Sequence, residues 1–327
     1  MSVAPLPAPP PMLAAPMPVP TLPAISAPPS LPMAGLEETT TATEQDMQPI
    51  WPIEENYGQK SAKSIAVPVA PPVPEPKLPG WLPSHKARIA IVIDDMGLNL
   101  RESRRAVALP ASVTLSYIPY APRLRDQTRE ARDVGHELML HMPMEPIGHD
   151  NPGPGALLTG LSEDEIRQRL VQALSSFVGF DGVNNHMGSK FTASESGMEI
   201  VVEELKQRQL FFLDSRTSSL TVGEKVARRE GLPVIARDVF LDDSMTLEAV
   251  RGQIQQLERV ARRKGYAVAI GHPHQATLQA LEKWMPEAEK RGFVFVAIRD
   301  LVEQLSGVTA VSAPAADTAA RGLVLRP

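Results

Sequence analysis

The chain has 327 residues, 33 prolines and no cysteine, and 33 basic against 38 acidic side chains give a formal net charge of -5 at pH 7 and a pI near 5.9. The lack of cysteine excludes disulfides, thiolate zinc sites and a cysteine nucleophile, which leaves histidine and carboxylates as ligands for any metal. Charges of both signs are interspersed, so there is no basic footprint for a phosphate backbone and no nucleic-acid partner is expected.

Of the 33 prolines, 21 fall in the first 85 positions with no repeating triplet, so residues 1–85 read as a disordered or polyproline-like leader or spacer. No basic n-region followed by an apolar core marks a signal peptide, and no run of about 18 apolar residues offers a membrane span. From residue 86 onward β-rich runs alternate with amphipathic ones. Arg88–Ile93 reads as a strand, Arg101–Leu109 as a helix, Val113–Ile118 as a strand, Leu124–Val134 as a helix and Glu137–Leu140 as a strand. Ser162–Phe177 follows as a helix opened by a Ser162-x-x-Glu165 capping box, then strand Gly182–Asn184 and helix Ser194–Gln207. Strand Leu210–Leu213, helix Val222–Arg229, strand Pro233–Ala236 and helix Leu247–Lys264 continue the alternation, and strand Tyr266–Ile270, helix Ala276–Arg291 and strand Phe293–Ala297 end it. Residues 307–327, rich in Ala, Thr and Pro, read as a frayed tail. Seven or eight strands with intervening helices over residues 86–306 predict a parallel α/β fold, and a length of this order suits an α/β barrel.

Polar residues follow nearly every apolar run. Asp94-Asp95, His141, Asn184-Asn185-His186, Asp214 and Gly271-His272-Pro273-His274 each follow a strand candidate, and the C-terminal strand ends of an α/β barrel converge on one mouth. In Asp94-Asp95 one carboxylate suits a cation and the other a general base, the alternative being a helix cap with a turn. His141 and His186 with Asp95 form the favoured trio for a divalent metal, zinc above others, with Glu145 as an alternative or additional ligand. His272 and His274 flank a stiff proline turn, and either suits proton donation to a leaving group. His136, His149 and His85 are expected in solvated, bland roles. Arg216 is placed to pair with Asp214 or with a substrate oxygen. Asp242-Asp243 precedes a helix and reads as its N-terminal cap. No dinucleotide fingerprint, phosphate loop or Gly-x-Ser-x-Gly elbow is present.

Between Lys86 and Leu305 these residues resemble the NodB-like carbohydrate esterase superfamily, and most closely its divergent polysaccharide deacetylase branch, the YibQ-like proteins. Ile93-Asp94-Asp95-Met96-Gly97 is similar to the superfamily's Asp-Asp-Gly motif with one insertion, and Gly135-His136-Glu137-Leu138-Met139-Leu140-His141 fits its second motif. Where the main family has a second histidine, this chain has Glu145; Asn184-Asn185-His186-Met187-Gly188-Ser189 resembles the divergent branch's own signature. The resemblance implies a distorted (β/α)7-8 barrel and a metal-dependent hydrolase that removes acetyl groups from an acetylated glycan or peptidoglycan-like substrate in the periplasm or cell envelope. It implies a cation on Asp95, His141 and His186, Asp94 as base, and His272 or His274 as acid. The alternative is a catalytically degenerate glycan-binding or scaffolding protein on the same barrel.

Overall fold

The computed structural model describes residues 86–306. The expected leader, with His85, and the expected tail lie outside the described residues.

Buried runs of Ile, Val, Leu and Ala form strands, and amphipathic stretches form the helices that return the chain. In chain order these are β1 (Arg88–Met96), α1 (Leu100–Val107), β2 (Val113–Tyr117), α2 (Leu124–Asp133), β3 (Leu138–Met144), α3 (Glu163–Leu174) and β4 (Gly182–Met187). A 3-10 turn (Phe191–Ala193) leads into α4 (Glu195–Gln207), β5 (Phe211–Asp214), α5 (Gly223–Arg229), β6 (Val234–Ala236) and β7 (Val239–Phe240). The chain continues through α6 (Leu247–Lys264), β8 (Tyr266–Gly271), α7 (Gln275–Lys290), β9 (Val294–Phe295) and α8 (Ile298–Ser306). Side chains cap the helix starts: Asn99 on α1, Ser162 with its reciprocal Glu165 on α3, Ser194 on α4 and Thr246 on α6.

All strand pairs are parallel, in the order β6-β5-β4-β3-β2-β1-β8-β7. The two ends of this curled sheet are consecutive in the chain. Arg237 N–H donates to Asp214 O on the β5 side at 3.0 Å, and Asp238 N–H to Val268 O on the β8 side at 2.9 Å. Two residues thus carry the chain from one sheet end to the other, the arrangement of a distorted (β/α) barrel.

Strand alternation sorts the side chains into two layers. Ile91, Ile93, Leu115, Leu140, Val183 and Phe212 pack outward under the helices, whereas Ala90, Val92, Met139, Leu213, Val268 and Ile270 fill the barrel interior. Ile298, Leu301 and Val302 of α8 join that interior cluster. The start of α8 is tied to the lower strand ends: Ile298 N–H donates to Thr114 Oγ1 at 3.1 Å, Arg299 N–H to Glu137 Oε2 at 3.1 Å, and Arg299 Nη1 to Asp181 Oδ1 at 2.6 Å. This helix therefore closes the N-terminal end of the barrel, opposite the mouth.

Three strands run well beyond their expected ends, and β5 and β8 by one residue each. β1, β3 and β4 continue by three residues or more through Asp94-Asp95, His141 and His186: in β3 and β4 the polar side chains leave the backbone ladder intact, with His141 paired to Asn184 and Pro143 to His186, whereas β1 continues through a shift of register with β2. β7 and α8 had no predicted counterpart. Two residues carry too little pattern for a strand, and α8 follows directly on a segment read as strand.

Candidate metal and proton-transfer site

Asp94 follows Ala90 and Val92 in alternation and so faces the barrel interior. Asp95 would face outward in a regular strand. Instead the pairing of β1 with β2 advances from Ile93↔Leu115 to Met96↔Tyr117, three residues against two, and Asp95 takes φ 53°. This bulge, at a residue type that tolerates left-handed backbone, turns the second carboxylate toward the mouth as well. Gly97 completes the turn with φ 101°; a Cβ there would lie 2.5 Å from that of Ala121.

Asp95, His141 and His186 bring one ligand atom each within 4.8 Å of one another. Asp95 Oδ1 lies 2.8 Å from His186 Nδ1 and 3.3 Å from His141 Nε2. Neither approach has hydrogen-bond geometry, so this buried oxygen accepts no hydrogen bond. Two imidazole nitrogens and an otherwise unpartnered carboxylate oxygen directed at one point form a donor set that fits a divalent cation of the zinc type. Burial works to raise the Asp95 carboxyl, but the charge of His186, with His141 and His272 beside it, holds it well below the usual range.

Asp94 is 2% exposed, and its two oxygens accept from Asn184 Nδ2 at 2.8 and 2.9 Å. Burial raises its carboxyl above the ordinary value despite the opposing charges of His141 and His272. Asn184 Oδ1 faces Ser116 Oγ at 2.6 Å and His141 Nδ1 at 2.9 Å, while its Nδ2 also reaches Ser215 Oγ at 3.2 Å.

Across the mouth, His272 Nε2 lies 3.7 Å from Asp95 Oδ2. His272 Nδ1 donates to Asp242 Oδ1 at 3.0 Å, and Asp242 Oδ2 accepts from His272 N–H at 2.6 Å and Thr277 Oγ1 at 2.7 Å. Burial works against the imidazolium, but the Asp242 hydrogen bond and the charges of Asp95, Asp242 and Asp94 push His272 up to about 9. His274 is lowered, mainly by burial, and sits with its ring centroid 5.6 Å from that of His272. Asp242, His272 and His274 also bring ligand atoms within 4.8 Å. Both Asp242 oxygens are already filled by donors, so this second group is an oriented carboxylate–imidazole dyad.

Several expected residues lie elsewhere. Asp214 alternates with Phe212 and so faces the helix layer; its Oδ2 accepts from Thr221 Oγ1 at 2.9 Å and Glu224 N–H at 3.1 Å, which caps α5. Arg216 pairs with Glu224 at 2.6 Å and meets Asp214 only through its backbone N–H. Glu145 is engaged by Thr159 N–H at 2.7 Å, Thr159 Oγ1 at 2.6 Å and Lys190 Nζ at 2.6 Å, outside the trio. Asp242 does not cap α6, whose cap is Thr246. His136 is buried and not solvated, with its ring nitrogens on Val113 O at 2.7 Å and Val107 O at 3.0 Å. His149 is exposed.

Sequence reasoning missed the role of Asp242 and all of Arg237. Arg237 donates to Ser215 O at 2.6 Å and Arg216 O at 2.8 Å; burial lowers its guanidinium below the ordinary value while the Asp94 charge works the other way. It directly follows the apolar run Val234-Ile235-Ala236, the same strand-end signal that marked the other candidates.

Residues 91–302 match the model of a family described as divergent polysaccharide deacetylase. The chain is 36% identical over 201 residues to the uncharacterized protein YibQ of Escherichia coli K12, covering 62% of this chain and 63% of that protein, so it spans just under two thirds of that relative's length. It is 36% identical over 197 residues to an uncharacterized protein of Haemophilus influenzae Rd, covering 60% of this chain and 70% of that one. The crystal structure of an uncharacterized protein from Agrobacterium tumefaciens C58 superposes with a TM-score of 0.65 at 32% identity, covering 68% of this chain and 91% of that chain.

Proposed function

Since the chain belongs to the divergent polysaccharide deacetylase family, we propose that it is a metal-dependent hydrolase that removes acetyl groups from a glycan of the cell envelope. One observation carries the reading: the buried Asp95 Oδ1, which accepts no hydrogen bond, faces two imidazole nitrogens, with the Asp94 carboxyl and the His272 imidazole beside them. Asp95, His141 and His186 hold the cation. When bound, it supplies Lewis-acid polarisation of the acetyl carbonyl and a lowered pKa for water.

The chain's own groups then divide the proton work. Asp94, in its carboxylate form and held by Asn184, takes the proton of the attacking water as the oxygen–carbon bond forms. His272 donates from Nε2 to the departing amine nitrogen as the carbon–nitrogen bond breaks, since its Nδ1–H is committed to Asp242. Acetate and the free amine result, and the site returns to its starting state when Asp94 passes a proton to solvent and His272 regains one. His272 is favoured over His274 as donor because only His272 has a carboxylate holding it charged and oriented. On the same reading the barrel unit spans residues 86–306, the proline-rich leader acts as a spacer and the protein works in the envelope. Among the described residues no helix is long and apolar enough to cross a membrane.

The test is acetate release from N-acetylated chito-oligosaccharides and peptidoglycan fragments by the metal-replete chain, abolished by a chelator and restored by added zinc. Absence of divalent-cation binding under metal-replete conditions overturns the reading. Saturable glycan binding with no acetate released points instead to a non-catalytic binder.

A further inference from the structure

The Asn184 amide touches both halves of the proposed machinery. It is fully buried, at 0% exposure, on β4 in register with His141 of β3. Its Nδ2 lies 2.8 and 2.9 Å from the two Asp94 oxygens, and its Oδ1 lies 2.6 Å from Ser116 Oγ and 2.9 Å from His141 Nδ1. The two ends of an amide are chemically distinct, so only one orientation satisfies these neighbours. The reverse orientation would set the amide oxygen against the Asp94 carboxylate, acceptor facing acceptor. The carboxylate therefore directs Nδ2 toward itself and leaves Oδ1 facing His141.

An amide oxygen cannot donate, so neutral His141 must carry its proton on Nδ1 to complete the contact. Its Nε2 then bears the lone pair, on the side that faces Asp95 Oδ1 at 3.3 Å. We propose that Asn184 is a positioning residue that fixes both the tautomer of His141 and the orientation of Asp94, making the base and one metal-facing imidazole a single hydrogen-bonded unit. The inference rests on the deacetylase reading for its functional meaning but not for its geometry. Ser116 and Ser215 serve this unit from either side: Ser116 donates to Oδ1, and Ser215 accepts from Nδ2 at 3.2 Å while its own N–H is held by Asn185 Oδ1 at 3.0 Å. The amide polarity is thus set by four side chains from four other strands or their ends.

The proposal separates two substitutions that a merely structural role would not. Asn184→Asp keeps the acceptor for His141 and Ser116 but places a like charge against Asp94. Asn184→Leu removes donor and acceptor together. Three readouts are taken on the full chain: the tautomer of neutral His141 from long-range 1H–15N spectra of the metal-free, 15N-histidine-labelled protein, assigned against His141→Gln; zinc affinity by competition with a chelating dye; and acetate release from N-acetylated chito-oligosaccharides. Wild type should show the Nδ1–H tautomer. Asn184→Asp should retain it and bind zinc within a few-fold of wild type while losing most acetate release. Asn184→Leu should show mixed tautomers and about 10- to 100-fold weaker zinc binding. If Asn184→Leu does not fold, wild type and Asn184→Asp still decide the matter. A wild-type His141 protonated on Nε2, or an Asn184→Asp that loses the Nδ1–H tautomer, overturns the proposal. A wild type that shows the Nδ1–H tautomer but binds no zinc supports the positioning role and overturns the metal-dependent reading instead.

Discussion

Replacing Asp242 by Asn keeps the side chain's shape and removes its charge. Its Oδ1 in the variant can still accept from His272 N–H and Thr277 Oγ1, the donors now on Asp242 Oδ2 at 2.6 and 2.7 Å, which turns the amide nitrogen toward His272 Nδ1. His272 then keeps Nε2–H only as a neutral imidazole. Its rise from 6.5 to about 9 corresponds to roughly 3 kcal/mol in favour of the imidazolium, shared among Asp242, Asp95 and Asp94. A cation on Asp95 offsets that carboxylate's pull, leaving Asp242 as the main support, so its loss is expected to lower the His272 pKa by about one to two units. The rate of acetate release against pH should therefore lose its alkaline limb at correspondingly lower pH, and the His272 titration followed by NMR should move with it. Stability provides a second readout. The raised His272 contributes fully below its unfolded value of about 6.5 and loses that contribution as pH climbs through about 9. Asp242, lowered by His272 although burial opposes it, contributes above its unfolded value of about 3.9 and loses it as pH falls. The wild-type melting temperature should thus fall from pH 7 to 9, and that of Asp242→Asn should be flatter. An unmoved alkaline limb in Asp242→Asn would remove His272 from the role of acid.

Asp95→Ala and His141→Ala should each abolish stoichiometric zinc binding, measured by atomic absorption, while far-UV circular dichroism stays that of wild type. Asp94→Asn should retain the metal and lower kcat by about 10²- to 10⁴-fold, the range expected for loss of a general base; retained turnover would mean that another group takes the proton. Asp214→Ala should cost about 2–4 kcal/mol in denaturant unfolding, because it strands the Thr221 and Glu224 donors at the start of α5, and it should leave zinc affinity unchanged.

The alternation of strands and helices was readable because most strands are largely apolar runs buried on both faces, and the candidate site was readable because acids and histidines gather at the C-terminal ends of those runs. The same double burial hides which face is which. Phe211-Phe212-Leu213-Asp214 has no polar alternation, so nothing in it shows that Asp214 shares the outer face with Phe212. Asp95 shows the opposite difficulty, since regular alternation would send it outward and only the bulge brings it back. Asp242 follows a strand of two residues and precedes a helix, so local pattern favours a cap, and its partner His272 lies 30 residues away. Geometry also distinguishes two histidines that the sequence left equivalent: His272 follows Val268 and Ile270 on the inward face, and His274 begins α7 as its N-cap residue.

The closure of the barrel has a consequence for how the molecule is made. β1 is the first described strand, yet Arg88 pairs with Tyr266 of β8 and Val294 of β9, and the interior is sealed only by α8. A nascent chain halted before Tyr266 would already contain Asp95, His141 and His186, but β1 would have an open edge where β8 belongs and the core would lack its lower seal. Bringing such distant segments together carries a loop-closure cost that is met when β8, β9 and α8 pack against β1. The cluster of Asp95, His141 and His186 is therefore expected to take its final geometry only after α8 has been made, in a single step shared with completion of the barrel.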